Sequence, residues 1–211
     1  MSYSRLVPYA LPSEGDFFNL CLRGPWHTAG FSVQYAIRVE RSVATDNKRV
    51  VHVLFQYTAS KSDWFFNLLA LSFFNTHLGF FLLALSARRS VRKALAGYIL
   101  GETDERLVFG GFSQGAALAT LFAGFAARWK EAPQASLVVF GSPRVFKKKT
   151  PPLALFFADA VRYEVGGDPV CALPLLWGEV GRRIQVFAPH RALGPDRHEP
   201  DAYREALSNA R

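Results

Sequence analysis

The sequence has few of the residues that build metal sites and disulfide frameworks. Its 211 residues include 2 cysteines, Cys21 and Cys171, and 5 histidines, and none of these stands in a metal-ligand spacing. The two cysteines lie far apart in the chain, and free thiols in a reducing compartment fit them better than the one disulfide they could form. We therefore expect no metal site.

Signals for export and for nucleic-acid binding are also missing. The first twenty residues lack the basic region and long apolar core of a secretory signal, so we expect a cytoplasmic protein, with peripheral membrane contact as an alternative. The net charge is +8, but no nucleic-acid-binding module with interleaved aromatics accompanies it, so we expect no nucleic-acid partner. Three basic clusters fit an anionic lipid surface, an anionic substrate or a merely solvated surface: residues 88–93, 147–149 and 182–183.

One long segment, residues 64–87, contains no aspartate, glutamate, lysine or arginine. It is long enough to cross a bilayer and is followed by Arg88 and Arg89. Asn67, Asn75 and other polar groups at mid-depth argue against a membrane span. The start of the segment also fits a short helix that packs in the core or covers a site as a lid.

The most informative stretch is residues 106–127, a short apolar strand followed by a glycine-bracketed serine and an alanine-rich helix. Residues 111–115 read Gly-Phe-Ser-Gln-Gly, the form of a nucleophile elbow, which lifts the oxygen of Ser113 above the sheet. Such a turn aims the backbone N–H of Gln114 at an anion formed on a substrate. A glycine-rich turn that binds phosphate is the alternative interpretation.

The pattern around the elbow predicts an α/β fold. Strands are expected at residues 31–40, 49–56, 107–109, 135–140, 160–165 and 183–187, and helices at residues 79–101, after the elbow and from about residue 201. We interpret His52, inside the second strand, as a core residue. This order predicts one domain, residues 1–211, with a mostly parallel central sheet flanked by helices and an antiparallel hairpin at its start.

Several chemically useful side chains follow predicted strands. Ser113, Asp168 and Thr58 each come directly after one, and His198 comes after a longer loop that also holds His190. Loops at the carboxyl ends of strands meet at one edge of such a sheet, where reactive groups collect. The order serine, aspartate, histidine is that of an α/β-hydrolase. His190 and His198 are rival candidates for the base.

Short motifs in a fixed order resemble those of the fungal-type (class 3) triacylglycerol lipase family, from about residue 50 to residue 207. They are FQYT at 55–58, DW at 63–64 with Leu68, HLGF at 77–80, GFSQGAA at 111–117, FGSPRV at 140–145, DPVCALP at 168–174, and His198 with Tyr203.

The resemblance implies an α/β-hydrolase fold and a serine carboxylester hydrolase acting on lipid esters through an acyl-enzyme, without metal or organic cofactor. Ser113 would be the nucleophile, Asp168 would orient the imidazole, and His198 would be the general base. Thr58 and the N–H of Gln114 would form the oxyanion hole. The residues of the candidate lid are Asp63, Trp64, Phe65 and Leu68.

Four features of the sequence depart from the family pattern. Phe112 replaces the usual elbow histidine, Ala116 replaces a glycine, and residues 147–149 are lysines where a glycine-polar turn is preferred. Tyr57 stands in place of the small glycine of the oxyanion loop. The alternative hypothesis is therefore a catalytically impaired, lipase-like module that binds lipid or membrane.

Overall fold

The computed structural model describes residues 14–42, 48–57, 72–73, 76–99, 106–129, 135–147, 159–190 and 194–209. The helices are α1 (Glu14–Leu22), α2 (Leu78–Ala96), α3 (Gln114–Ala126) and α4 (Pro200–Asn209), with 3-10 helices at Val170–Ala172 and Pro195–His198. The strands are β1 (His27–Ala29), β2 (Val33–Ser42), β3 (Lys48–Phe55), β4 (Ser72–Phe73), β5 (Thr76–His77), β6 (Arg106–Phe112), β7 (Ala135–Phe140), β8 (Phe146–Lys147), β9 (Asp159–Val165), β10 (Trp177–Gly178) and β11 (Arg182–Val186).

A mostly parallel central sheet organises the molecule, as predicted. Its strand order is β1-β2-β3-β6-β7-β9-β11, and the run from β3 to β11 is parallel. The expected antiparallel hairpin enters the sheet through β2 and β3, in the register that pairs Tyr35 with Phe55. Because the parallel strands share one direction, the loops that follow β6, β7 and β9 leave the same edge of the sheet. This carboxyl edge carries the site.

Helices cover both faces of the sheet, and strand periodicity divides the core between them. In β3, the side chains of Val51, Val53 and Phe55 join the core layer under α2 and α3. The alternate residues Val50 and Leu54 join the layer under α1 and α4. Successive side chains of a strand point to opposite faces, so an unbroken apolar run is what a sheet covered on both sides requires.

Two elements were not expected from the sequence. The helix α1 buries Phe17, Phe18 and Cys21 against the sheet, although its 9 residues are fewer than the window of about 11 residues in which a helical period is recognised. A small second sheet of order β10-β8-β5-β4 is built from strands of two residues each, which are too short to show a period.

Residues 64–87, the segment that is long enough to cross a bilayer, do not form one continuous helix. The strand β5 interrupts it at Thr76–His77, and the helix begins only at Leu78. Within the parts of the chain that the structure describes, no helix combines the length and the apolar character needed to cross a bilayer. The candidate lid residues Asp63, Trp64, Phe65 and Leu68, and the candidate oxyanion residue Thr58, lie outside the described residues.

His52 is a core residue, as its position inside a strand predicted. It is 1% exposed, and its Nε2 atom lies 3.5 Å from Oε2 of Glu40. Burial lowers the pKa of His52, Arg38 adds to the lowering, and Glu40 opposes it in part. The unfolded chain, whose histidines titrate at about pH 6.5, therefore binds this proton more readily than the folded chain. Stability contributed by neutral His52 is present above that pH and is lost as the pH falls below it.

We expect the substitution His52→Gln to reduce the loss of stability on acidification, because glutamine does not titrate. The free energy of unfolding in urea, measured from pH 7.5 to pH 5 (about the range of histidine titration), should fall less steeply in the variant. His27→Gln is the matched control, because His27 is exposed on β1 and should leave the wild-type slope unchanged. Equal slopes for wild type and His52→Gln would contradict this account.

Candidate active site

Ser113 occupies the turn between β6 and α3. Its backbone has φ 55° and ψ −121°, a region that side-chain-bearing residues rarely adopt. The Ser113 N–H donates to the carbonyl oxygen of Phe140 at 3.0 Å, so the turn is fastened to the end of the neighbouring strand β7. This is the strand-turn-helix geometry that the sequence around Gly-Phe-Ser-Gln-Gly predicted.

The two glycines of the elbow are required by close backbone approach. A Cβ atom on Gly111 would lie 2.4 Å from the carbonyl carbon of Gly115, and a Cβ atom on Gly115 would lie 2.2 Å from the carbonyl oxygen of Phe55. The first turn of α3 therefore packs directly on the strand before it and on the end of β3. The chain that leaves β3 toward Tyr57 is brought to the elbow by this contact.

We expect Gly111→Ala to destabilise the fold by about 2 kcal/mol, because backbone atoms must move apart to admit the methyl group. Chemical denaturation of the purified variant measures this directly. Gly97→Ala is the control: a Cβ atom there would lie 3.4 Å from the nearest atom, the carbonyl oxygen of Ala94, and the φ of −74° suits any residue. Equal stability of the two variants would mean that the elbow tolerates a side chain at position 111.

Three side chains that are distant in the sequence meet at the carboxyl edge. Nε2 of His198 lies 2.7 Å from Oγ of Ser113, and Nδ1 of the same ring lies 2.8 Å from Oδ2 of Asp168. The Asp168 side chain is fully buried and that of His198 is 13% exposed. Because a carboxylate only accepts hydrogen bonds, a neutral His198 carries its proton on Nδ1 and leaves the Nε2 lone pair directed at the serine hydroxyl.

Asp168 accepts hydrogen bonds from its own loop and from α4. The N–H of Val170 donates to Oδ1 at 2.9 Å, the Tyr203 hydroxyl donates to Oδ2 at 2.6 Å, and the Cys171 thiol donates to Oδ2 at 3.4 Å. Burial raises the pKa of the Tyr203 phenol, as do Cys171 and Asp168, so this hydroxyl keeps its proton as a donor. The buried carboxylate is thus satisfied and held in one orientation.

Contacts around the imidazole hold its plane. The Phe112 ring stacks on His198 with 5.0 Å between ring centroids and 22° between planes. Tyr57 packs edge-on against the Phe112 ring, with 5.6 Å between centroids. Arg197, next to His198 in the 3-10 helix, donates to the carbonyl oxygen of Gly166. The histidine segment is therefore tied to the loop that carries Asp168.

A buried arginine joins the loops that follow β7 and β9. Arg162 is 2% exposed, pairs with Glu164 on the same strand, and donates to the carbonyl oxygens of Ser142 and Cys171. The sequence offered one signal of this residue, a charged pair inside an otherwise apolar strand. Its contacts could not be assigned without the fold. The same holds for the contact of Phe112 with His198 and the hydrogen bond from Tyr203 to Asp168.

The rival base His190 is not part of this cluster. It is exposed, and its backbone N–H donates to Glu205 Oε1 at 3.2 Å. Gln114 is the first residue of α3, as the oxyanion prediction requires. Within the described ranges, no group of three or more histidine, cysteine, aspartate or glutamate side chains could hold a metal ion.

Comparison with known families identifies the family to which the chain belongs. The family model of the class 3 lipases matches residues 40–177, which is more than half of the sequence. The chain belongs to the class 3 lipase family. The resemblance and the α/β-hydrolase fold predicted from the sequence are both confirmed. No curated protein matches the chain.

Solved lipases share the fold of this class 3 family member. A Rhizomucor miehei lipase in complex with its propeptide has a TM-score of 0.61 at 17% identity, covering 77% of this chain and 54% of that one. MDLA from Penicillium cyclopium has a TM-score of 0.58 at 24% identity, covering 76% and 66%. A lipase from Rhizopus microsporus var. chinensis has a TM-score of 0.61 at 16% identity, covering 80% and 61%. The chain thus spans between about half and two thirds of the length of these relatives.

Proposed function

We propose that the protein is a serine carboxylester hydrolase that acts on lipid esters, with Ser113 as nucleophile, His198 as general base and Asp168 as the residue that orients the imidazole. The observation that carries this proposal is the continuous hydrogen-bonded line from Ser113 Oγ through both nitrogens of His198 to Asp168, with 2.7 Å and 2.8 Å steps. Family membership supports ester hydrolysis as the reaction class.

In the acylation step, Nε2 of His198 removes the hydroxyl proton as Ser113 Oγ attacks the ester carbonyl carbon. The carbonyl double bond becomes a single bond to an oxyanion, and buried Asp168 stabilises the imidazolium. The imidazolium then gives its proton to the leaving alkoxide, the carbon–oxygen bond of the ester breaks, and the acyl group stays on Ser113. A water molecule, deprotonated by His198, then attacks the acyl carbonyl carbon. The bond from this carbon to Ser113 Oγ breaks, Ser113 Oγ takes the proton back from the imidazolium, and the fatty acid leaves.

The oxyanion would form in front of the first turn of α3. The positive end of the helix dipole and the N–H of Gln114 would stabilise it. Gly115 holds the start of this helix against the carbonyl of Phe55, so the chain leaving β3 runs beside the same position. We therefore keep Thr58 as the candidate second donor.

Apolar side chains at the carboxyl edge support a lipid substrate. Leu175 and Leu176, in the loop that follows Asp168, are 69% and 79% exposed, and Phe187, directly after β11, is 65% exposed. Large side chains exposed beside a polar catalytic cluster suit the binding of acyl chains. Acylglycerols and related acyl esters are the proposed substrate class.

Labelling with a fluorophosphonate tests the proposal, because this reagent phosphonylates a serine only when a base activates it. We expect a single adduct, mapped by mass spectrometry to the peptide containing Ser113, and no adduct in the Ser113→Ala variant. The alternative, a lipase-like module that binds lipid without turnover, is motivated by Tyr57 in the oxyanion loop. It predicts a folded wild-type protein that does not react.

A further inference from the structure

The helix α2 presents two distinct faces along its length. Its buried residues lie along one face and pack against the sheet and α3: Phe80, Ala84, Ala87, Val91 and Leu95. The exposed residues Leu82, Leu85, Arg89, Lys93 and Ala96 recur at intervals of three and four and form a stripe on the opposite face, with exposed Arg92 beside it. We call this stripe, together with Arg92, the outer face of α2.

The outer face combines apolar and basic side chains in an ordered way. Leu82 and Leu85, in the first half of the helix, are 48% and 45% exposed. Arg89, Arg92 and Lys93 follow in the second half, and the sequence of α2 contains no acidic residue. A solvated helix face ordinarily carries charges of both signs and few large apolar groups, so this composition is that of a contact surface.

A turn from the start of the sheet adds a third large apolar group to the outer face. The N–H of Phe31 donates to Ser86 Oγ at 3.0 Å, and the Phe31 side chain is 73% exposed. A Cβ atom on neighbouring Gly30 would lie 2.3 Å from Ser86 Oγ, so the turn sits directly on the helix. The Phe31 backbone is therefore held at Ser86, four residues after Leu82 and one residue after Leu85 on the helix.

We infer that the outer face of α2, with Phe31, docks on an anionic lipid bilayer. Leucine and phenylalanine side chains would enter the boundary between head groups and acyl chains, while Arg89, Arg92 and Lys93 would contact anionic head groups. The charge pattern selects this occupant: Arg89 and Lys93 lie on a helix whose sequence contains no acidic residue and attract an anionic surface, and the exposed apolar groups gain from leaving water.

This surface is separate from the catalytic cluster but starts near it. The helix begins directly after His77, whose N–H donates to the carbonyl oxygen of Val145 in the loop that follows β7. That loop leaves the same carboxyl edge as Ser113. A bilayer on this face would meet the apolar residues at the end of the helix that lies toward the catalytic edge. Docking does not require hydrolysis, so its test is independent of the proposed function.

The test measures sedimentation of the Ser113→Ala protein with vesicles of phosphatidylcholine, with and without phosphatidylserine. We expect binding to the anionic vesicles that weakens with added salt, and little binding to the neutral ones. The double substitution Arg89→Gln and Lys93→Gln should lower the partition coefficient about 25-fold, on the basis of about fivefold for each basic side chain near an anionic surface. Leu82→Ser with Leu85→Ser should lower it as well.

The matched control removes the same charge elsewhere. Arg23, after α1 on the other side of the sheet, and Arg182, at the start of β11, are both exposed. Arg23→Gln with Arg182→Gln leaves the same net charge as the α2 pair and should bind vesicles like the parent. Equal losses for the two pairs, or no binding to anionic vesicles by the parent, would overturn the inference. Fluorophosphonate labelling of protein with Ser113 intact reports on the proposed hydrolase separately.

Discussion

Replacing Ser113 with alanine should lower kcat for a soluble short-chain ester by about a million-fold, because loss of the nucleophile in a serine hydrolase costs about as much as loss of the whole triad. The substitution removes one oxygen atom at a position that is already partly exposed, so the folded structure should persist. Steady-state hydrolysis of a chromogenic ester, with thermal unfolding as a check of the fold, gives the measurement.

A serine elsewhere on the surface provides the comparison for this variant. Ser208 lies in α4, is exposed, and its hydroxyl donates only to the carbonyl oxygen of Arg204 among the described contacts. Ser208→Ala should hydrolyse the ester at the wild-type rate. Substantial turnover by Ser113→Ala, in protein free of contaminating esterase, would refute the assigned nucleophile.

The second large effect is expected at His198, where alanine should also lower kcat by about a million-fold. This variant lacks the imidazole that takes the proton from Ser113 Oγ and returns it to the leaving alkoxide. Buried Asp168 would keep its bonds to Val170 and Tyr203, so we expect the site to stay folded.

His190 distinguishes this prediction from a general effect of histidine loss. It lies eight positions earlier in the chain but outside the hydrogen-bonded line, and its contact with Glu205 uses the backbone. His190→Ala should therefore keep kcat within about twofold of wild type, as expected for an exposed side chain that touches neither reactant nor base. A large loss for His190→Ala and a small one for His198→Ala would reverse the assignment of the base.

Much of the sheet could be predicted from the sequence because the relevant physics is local. The apolar runs of β3, β6 and β7 need helices on both faces. The glycines around Ser113 are required because a Cβ atom on Gly111 or Gly115 would lie 2.4 Å or 2.2 Å from neighbouring backbone atoms. The position of Asp168 after a strand followed from the same reasoning. The helix α1 and the two-residue strands gave no such signal, because contacts with elements distant in the chain determine them.

The sequence by itself determined the class 3 lipase motifs, the elbow with its serine, and the alternation that makes the sheet mostly parallel. Only the tertiary structure decided that His198 and not His190 reaches Ser113, that Tyr203 shares the Asp168 carboxylate, and that Phe112 supports the imidazole. The reason is physical: spacing along a chain fixes secondary structure, whereas contacts between loops depend on how the elements pack. The exposed stripe of α2 became visible in the same way, once packing had buried the opposite face of the helix.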